Sequence, residues 1–351
     1  MKGHILKSAL FILSVILLSP SCEEPGQNTE DGWQEVGSPQ GLRVNQFSFN
    51  SQGDIFICTW WYPDEPGDGG AIHRIERSAD NGNSWASILE TGWTPVCATI
   101  DAADNIYAGT WGKVSRSFNY GESWETVIDT LPISAIHTID ISPEGHIYIG
   151  ANHVNYRSKD NGAHWEALSL EYQAVTFLFL KNGDILAGVN SGYFPNPPQY
   201  IYRSTDDGNS WVKVLTANYT YEWSMAANQN GTVFAATSEY DSTAGGVYRS
   251  TDNGLTWTRV NNGLPSRDVN SLAVNSLGHV FIGIYGQGIY RSIDDGETWD
   301  DVSEDLTDLR IQSLGIDIND ILFVGTGTSS LPTSETEDAN IFRRMTITSV
   351  H

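Results

Sequence analysis

The sequence of 351 residues predicts an all-β fold built from repeated four-stranded units. An eight-residue signature, S-x-[DN]-x-G-x-[STH]-W, occurs six times at intervals of 39 to 46 residues. Between the signatures, Val, Ile, Tyr and Phe alternate with polar residues at a period of two, which is typical of strands. After residue 30 no apolar stripe with a period of 3.6 residues indicates a helix. The six signatures span residues 78–85, 117–124, 158–165, 204–211, 250–257 and 292–299.

Each repeat contains the same order of predicted strands, and the sixth repeat shows it most clearly. VNSLAV (269–274) and HVFIGI (279–284) flank one turn, and GIYRS (288–292) and TWDDV (298–302) flank the signature. Four short antiparallel strands repeated radially form a β-propeller, in which each blade packs between its neighbours and leaves only short edges. The repeats therefore predict propeller blades.

The end of the chain predicts a seventh blade that the beginning of the chain completes. Strands at 311–316, 321–326 and 341–347 have no following signature. DGWQEV (31–36) matches the end of a signature and the strand after it, with Trp33 in the position of Trp299. We therefore expect a seven-bladed propeller over residues 31–351, closed by an N-terminal strand that completes the last blade.

The signature resembles the Asp-box, or BNR repeat, found in sialidases, in xyloglucanases and in photosystem II assembly factors. In that family the turn joins the third and fourth strands of a blade, on the rim opposite the usual ligand face. The motif also has a structural explanation, because the carboxylate can accept N–H groups of its own turn while Gly supplies a positive φ and Trp packs between blades. We assign this structural role to Asp80, Asn119, Asp160, Asp206, Asp252 and Asp294.

The first residues predict export and lipidation. Two lysines precede the apolar run 9–18, which is too short to span a bilayer, so residues 1–21 are predicted to be a signal peptide. LSPSC resembles a bacterial lipoprotein box, which makes Cys22 the lipidated residue of a linker at 22–30. Glu23 and Glu24 resemble the surface-export signal of Bacteroidetes lipoproteins. We expect an outer-membrane lipoprotein on the cell surface; the alternative is an ordinary secreted protein.

The charge of the chain excludes several classes of partner. A net charge of −24 and a pI near 4.4 repel nucleic acids and anionic membrane surfaces. No P-loop, dinucleotide fingerprint or Cys/His cluster is present, so we expect no cofactor and no metal. We also expect a monomer. Cys58 and Cys97 fall in different strand columns, which argues against a disulfide, although adjacent blades would allow one.

Ligand binding is expected in the loops opposite the signatures, because loops on a rigid scaffold carry function. These loops are rich in aromatic residues, which suit either the faces of sugar rings or a protein hot spot. We therefore predict a glycan or a protein as the partner. The candidate binding residues are Trp60, Trp61, Tyr62, Trp93, Trp111, Tyr193, Tyr221, Trp223, Tyr285, Arg43, Arg267 and Arg310.

A glycoside hydrolase or a lyase is the alternative function. Hydrolysis requires two facing carboxylates, and the candidates on this face are Glu222, Asp241 and Asp268. The resemblance implies that a sialidase would use three arginines to hold the substrate, and the three candidate arginines precede the first strands of blades one, six and seven. Sialidase propellers have six blades, however, and the related xyloglucanases use two tandem propellers. The single seven-bladed ring favours binding over catalysis.

Overall fold

The computed structural model describes residues 32–37, 43–61, 72–92, 97–128, 135–152, 154–191, 199–217, 220–239, 245–327 and 339–345. These residues form seven four-stranded antiparallel sheets and no helix. All of them belong to one unit, Gly32–His351. The prediction of an all-β, seven-bladed propeller is confirmed.

Blades one to four follow the chain order. Blade one contains β2 (Arg43–Phe49), β3 (Ile55–Trp61), β4 (Ile72–Ser78) and β5 (Ala86–Gly92). Blade two contains β6 (Cys97–Ile100), β7 (Ile106–Gly109), β8 (Val114–Ser117) and β9 (Glu125–Ile128). Blade three contains β10 (Ile136–Ile141), β11 (Ile147–Ala151), β12 (Asn155–Ser158) and β13 (Glu166–Ala167). Blade four contains β14 (Gln173–Phe179), β15 (Ile185–Asn190), β16 (Gln199–Ser204) and β17 (Val212–Ala217).

The remaining blades complete the ring. Blade five contains β18 (Thr220–Ala227), β19 (Val233–Glu239), β20 (Gly246–Ser250) and β21 (Thr258–Arg259). Blade six contains β22 (Val269–Val274), β23 (Val280–Ile284), β24 (Gly288–Ser292) and β25 (Asp300–Asp301). Blade seven contains β26 (Ile311–Ile316), β27 (Ile321–Thr326), β28 (Ile341–Met345) and β1 (Gln34–Val36). The first strand of each blade contacts the first strand of the next, and β2 contacts both β6 and β26.

The N-terminal strand closes blade seven, as the sequence predicts. β1 pairs with β28 in an antiparallel register that sets Gln34 opposite Arg343 and Val36 opposite Ile341. The indole of Trp33 is buried and its N–H donates to the carbonyl of Val302, 2.8 Å away. Trp299 makes the equivalent bond to the carbonyl of Val260. Trp33 therefore takes the structural place of a signature tryptophan.

Hydrogen bonds within each Asp-box turn engage its carboxylate or amide, and the box of blade five illustrates them. Asp252 accepts the N–H of Thr256 at 2.9 Å and its hydroxyl at 2.6 Å. The hydroxyl of Ser250 donates to Asp252 and accepts the N–H of Gly254. Two consecutive residues, Asn253 and Gly254, have positive φ angles of 57° and 79°. The carboxylate is thus used within its own turn, and no box carboxylate is left over for chemistry in this blade.

The two cysteines of the described region are free and buried thiols. Cys97 lies on β6 opposite Gly109, and Cys58 lies on β3 opposite Gln46. Burial raises the pKa of the Cys58 thiol to about 12 and that of Cys97 well above its ordinary value. Thiols with so little thiolate are poor nucleophiles and behave as small apolar residues.

The described residues contain no helix long and apolar enough to cross a membrane. Among the same residues, no group of three or more His, Cys, Asp or Glu side chains is arranged to hold a metal ion.

Candidate functional site

The strand order divides the propeller into two faces. Neighbouring strands of a blade are antiparallel, so the first and third strands run in the same direction. The Asp-box turns follow the third strands and therefore lie at the end of the ring where the first strands finish. We call this end the box face. The first strands begin, and the second strands end, at the opposite end, which we call the mouth face.

A recurring irregularity lies near the start of the first strands, on the mouth face. In blades one, three, four, five, six and seven the pairing between first and second strands shifts at one residue. Such a β-bulge leaves one residue unpaired and redirects its side chain, and bulges of this kind occur next to binding sites. In blade two the described part of the first strand begins after this position. The bulge ring consists of Asn45, His137, Val175, Glu222, Asn270 and Gln312.

Most described side chains of the bulge ring are polar. Asn45 and His137 are exposed, and Nε2 of His137 lies 2.8 Å from Oδ1 of Asn152. Nδ2 of Asn270 donates to the carbonyl of Ile311 in the next blade at 3.4 Å, and Nε2 of Gln312 donates to the carbonyl of Gly327 at 3.1 Å. An amide carries two N–H donors and an acceptor oxygen, so the amides of Asn45 and Asn270 keep capacity for a ligand, whereas Gln312 is buried.

Glu222 is the one member of the bulge ring that the sequence pointed to, and the others were missed. The strand alignment contains the signal that would have found them. In blades three, four, six and seven the bulge residue stands immediately before the column of small polar residues of the first strand. In blade one it precedes Gln46, and in blade five the shift falls one residue earlier. The backbone of Glu222 is at the bulge, and its side chain lies outside the described residues.

Two of the predicted arginines meet at Gly327. Arg43 pairs with Gly327 in an isolated β-bridge, and the carbonyl of Arg310 accepts the N–H of Gly327 at 3.2 Å. Arg310 also binds both carboxylate oxygens of Asp308 at 3.0 Å. Burial acts to raise the pKa of Asp308, but the bonds from Arg310 prevail and lower it. The guanidinium of Arg310 is therefore held by its own chain.

The other candidates with described side chains are spread around the mouth face. Arg267 is exposed in the loop before β22, and the N–H of Asp268 donates to the hydroxyl of Ser266. Tyr285 is half-buried after β23, beside Gly286, whose N–H donates to the carbonyl of Leu309. The structure thus brings Tyr285 close to the loop that carries Arg310.

Trp111 is an exposed aromatic residue of blade two on the mouth face. Its side chain is 58% exposed in a tight turn where the N–H of Thr110 donates to the carbonyl of Lys113. Its backbone forms a bridge with Ala135 at the start of blade three. Trp60, Trp61, Tyr221 and Trp223 lie on described strands, but their side chains are outside the described residues. Tyr62, Trp93, Tyr193, Asp241 and Cys22 are outside them altogether.

Below the mouth, the first strands of neighbouring blades are joined by side chains that reach across the gap. The hydroxyl of Ser313 donates to the carbonyl of Val44 at 2.8 Å, and this bond links blades seven and one. Between blades three and four, Asp140 accepts the N–H of Phe177 and the hydroxyl of Thr138. Burial raises the pKa of Asp140 to about 6, against these two bonds, which lower it. The first strands beneath the mouth face thus hold a carboxyl group whose pKa lies above its ordinary value, at about 6.

Comparisons with known proteins agree on the fold. A family model described as "Photosynthesis system II assembly factor YCF48" matches residues 117–349. No curated protein matches the chain significantly.

Three solved structures represent the similar propellers. YCF48 bound to a D1 peptide has a TM-score of 0.64 and 15% identity, and the match covers 91% of this chain and 98% of that chain. Virginiamycin B lyase from Staphylococcus aureus has a TM-score of 0.66 and 13% identity, with 89% and 98% covered. PorZ, a surface component of the type-IX secretion system of Porphyromonas gingivalis, has a TM-score of 0.59 and 14% identity, with 87% and 47% covered. At these identities the likeness shows the fold alone.

Proposed function

Because the chain belongs to the Photosynthesis system II assembly factor YCF48 family, we propose that its propeller is a protein-binding module. The mouth face binds a segment of a partner polypeptide. The bulge ring is the observation that carries this proposal. A peptide presents one N–H donor and one carbonyl acceptor per residue. The amides of Asn45 and Asn270 and the imidazole of His137 can bond to both kinds of group at the start of the first strands of blades one, six and three.

The comparison with YCF48 supports a polypeptide as the ligand. The YCF48 propeller is bound to a D1 peptide in its solved structure, and the match covers nearly the whole of the present propeller. Rigid rings with irregular loops on one face bind different ligands in different proteins, so the peptide of that protein is not transferred to this one. The proposal concerns the class of ligand.

The described side chains favour a polypeptide over a glycan. A sugar-binding platform needs aromatic rings that lie side by side. Trp111 and Tyr285, the aromatic candidates whose side chains are described, belong to blades two and six, which are not neighbours in the ring. The polar bulge positions, in contrast, recur in adjacent blades six, seven and one. Glycan binding and glycoside hydrolysis remain outcomes that the experiment below would reveal.

Peptide selection from a displayed library of linear peptides tests the proposal. We expect the purified protein to select peptides, and His137→Ala and Asn45→Ala to weaken the selected peptides at least tenfold in fluorescence anisotropy, because each loses a hydrogen-bonding group. His164→Ala is the matched control, since this exposed histidine lies in an Asp-box on the other face. Selection of no peptide, or equal binding by all three variants, would contradict the proposal. Retention on a glycan array instead would favour the glycan.

We further propose that the protein is an exported lipoprotein, anchored through Cys22 and exposed on the outer membrane. The apolar run 9–18 followed by LSPSC supports this localisation. In cells grown with a radiolabelled fatty acid, the full-length chain should carry label and sediment with outer membranes, and Cys22→Ser should do neither. Label on Cys22→Ser would exclude this anchor.

A further inference from the structure

In blades four, five and seven the arginine near the end of the third strand bonds to the Asp-box of the following blade. The arginines of blades one and two bond instead to carboxylates of their own blade, Asp54 and Glu125. Arg203 donates to the carbonyl of Asn253 at 3.0 Å, and Arg249 donates to that of Asp295 at 2.9 Å. Arg343 of blade seven donates to the carbonyl of Asn81 in blade one. In blades four, five and seven the box of the following blade therefore supplies the acceptor for this arginine.

Blade three adds a histidine to this arrangement. His146 stands just before β11 and Arg157 lies on β12, and together they hold the carboxylate of Asp207 from the box of blade four. Nδ1 of His146 is 3.2 Å from Oδ1, and Nη1 of Arg157 is 3.3 Å from Oδ2. Burial acts to raise the pKa of Asp207, but bonds from Lys159, Tyr148 and His146 outweigh it and lower the pKa to about 2. Tyr148 and Lys159 bind the same carboxylate at 2.6 and 2.7 Å. Four side chains of blade three therefore form the site that Asp207 fills, and blade six has Phe281 and Ile293 in the places of Tyr148 and Lys159.

Blade six has a histidine and an arginine at the same two positions, but among the described residues no carboxylate bonds to them as Asp207 bonds to the pair of blade three. His279 stands just before β23 and Arg291 lies on β24, in the positions that His146 and Arg157 occupy in blade three. The next blade is blade seven, whose fourth strand is the N-terminal β1 and whose sequence has no signature after β28. Nδ1 of His279 and Nε of Arg291 are both buried and have no hydrogen-bond partner among the described residues. Nε of Arg157 in blade three also has none, so the two blades differ at the histidine: Nδ1 of His146 contacts Asp207, and Nδ1 of His279 has no partner among the same residues.

A small open cavity beside Arg291 leaves room for a hydrogen-bond acceptor. Arg291 and Arg344 line an open cavity of about 20 Å³ together with Trp33, Phe281, Val302, Leu322 and Met345, and His279 lies outside this lining. A volume of this size admits one water-sized group, such as a carboxylate oxygen. The side chain of Met345 is half-exposed at its edge.

The charged groups nearby are engaged elsewhere. Arg344 bonds to Glu304 at 3.2 Å and to the carbonyl of Val302. Asp320 accepts the N–H and the hydroxyl of Ser276. Burial, together with the charge of Arg291, lowers the pKa of His279, and the charge of Asp320 opposes this.

We propose that His279 and Arg291 form a binding site for a carboxylate presented by a turn of another polypeptide, which occupies the pair as Asp207 occupies the pair of blade three. Buried donors without acceptors cost free energy that a charge-assisted bond recovers. The site lies on the box face, so it is distinct from the polypeptide site proposed on the mouth face and goes beyond it.

The fourth Asp-box supplies a matched probe for the test. The octapeptide STDDGNSW, with the sequence of residues 204–211, carries the carboxylate of Asp207, and its control peptide has Asn at that position. Binding is followed in the full-length protein by the imidazole Cε1–H signal of His279 in NMR spectra at about 0.15 M salt, which screens the net charge of −24. We expect the first peptide to move this signal and to raise the pKa of His279, and the control to bind at least tenfold more weakly. The signal of His146, whose partner is in place, should stay unchanged.

Two arginine variants separate binding from folding. Arg291→Met should abolish the shift and leave the melting temperature at or above that of the wild type, because it removes a buried donor that has no acceptor. Arg203→Met, which breaks a formed bond between blades, should lower the melting temperature and leave the peptide shift in place. Equal binding of the two peptides, or an unmoved His279 signal at saturating peptide, would overturn the proposal. A large loss of stability in Arg291→Met would overturn it as well, because the site would then be structural.

Discussion

The two faces of the propeller use repetition in opposite ways. On the box face, all six signatures make the same bond from the Gly N–H to the Ser hydroxyl, at 2.7 to 2.9 Å. On the mouth face, six blades share one backbone irregularity, but its residues are Asn, His, Val, Glu, Asn and Gln. Identical side chains with identical bonds mark the scaffold. Different side chains on an identical backbone mark the place where the blades can take different roles in binding.

The largest effect is expected from the tryptophan that closes the ring. Trp33→Ala should lower the free energy of unfolding by about 3 to 5 kcal/mol, because it removes a buried indole from the contact between blades six and seven. Urea denaturation of the full-length chain measures this loss. Trp299→Ala should cost a similar amount, since the two indoles make equivalent bonds. A cost below about 1 kcal/mol for Trp33→Ala would mean that β1 does not close the ring.

The next largest change in stability is expected for Asp140, on the first strand of blade three below the mouth face. Its folded-state pKa of about 6 lies above the ordinary value of 3.8, so the folded state binds the proton more tightly and loses stability as the pH rises from about 4 to about 6. Asp140→Asn should therefore raise the free energy of unfolding by about 1 to 2 kcal/mol at pH 8 and leave it unchanged at about pH 3.5. The amide oxygen can still accept the bonds from Thr138 and Phe177.

Asp207, a carboxylate on the box face, is expected to have the opposite effect on stability: its ionised form stabilises the folded state. The lowered pKa of Asp207 means that its contribution to stability is present above pH 3.8 and is lost as the pH falls towards 2. Asp207→Asn should lower the melting temperature at about pH 7 and reduce its fall between about pH 4 and pH 2. Melting curves of both variants across this range decide the matter. If Asp140→Asn and Asp207→Asn both raised or both lowered the melting temperature at neutral pH, the two carboxylates would not differ in their effect on stability.

A smaller loss is expected from a box carboxylate. Asp252→Ala should cost about 1 kcal/mol, because the bonds that it removes lie at the surface of a single turn. Binding of peptides selected on the wild type should not change, because the turn lies on the opposite face. Loss of binding in a variant with an intact melting transition would place a function on the box face.

The ring closure could be predicted from sequence because a repeated motif reports a repeated structure. Trp33 and the strand after it match the end of a signature, and β1 pairs with β28 as this match requires. The empty pair of blade six could not be predicted in the same way. Arg291 resembles the arginines of the other blades, and His279 shares its column with His146 and with aspartates such as Asp54 and Asp184. Only the geometry shows that Nδ1 of His279 lacks, among the residues that the structure describes, the partner that His146 has.

The bulge ring shows a second limit of sequence reasoning. A β-bulge changes which residues face each other without changing the alternation of apolar residues that defines a strand. The alternation of apolar residues therefore points to the aromatic residues nearby, and only an alignment of the first strands with one another marks the positions of Asn45 and His137. Arg310 illustrates the opposite case. Its position in the sequence predicts ligand binding, but in the structure its guanidinium forms an ion pair with Asp308.

The smallest expected effect separates two exposed aromatic rings of nearly equal exposure. Trp111 on the mouth face is 58% exposed and Phe118 on the box face is 59% exposed. Phe118 lies under the guanidinium of Arg116, 4.4 Å from the ring centroid, so Phe118→Ala should cost about 0.5 to 1 kcal/mol. Trp111→Ala should change the free energy of unfolding by less than about 0.5 kcal/mol. An exposed indole that contributes little to stability is available for a ligand, so the same variant should weaken the selected peptides. A cost above about 1 kcal/mol would instead show that Trp111 packs its own turn, and the bulge ring alone would then carry the binding site.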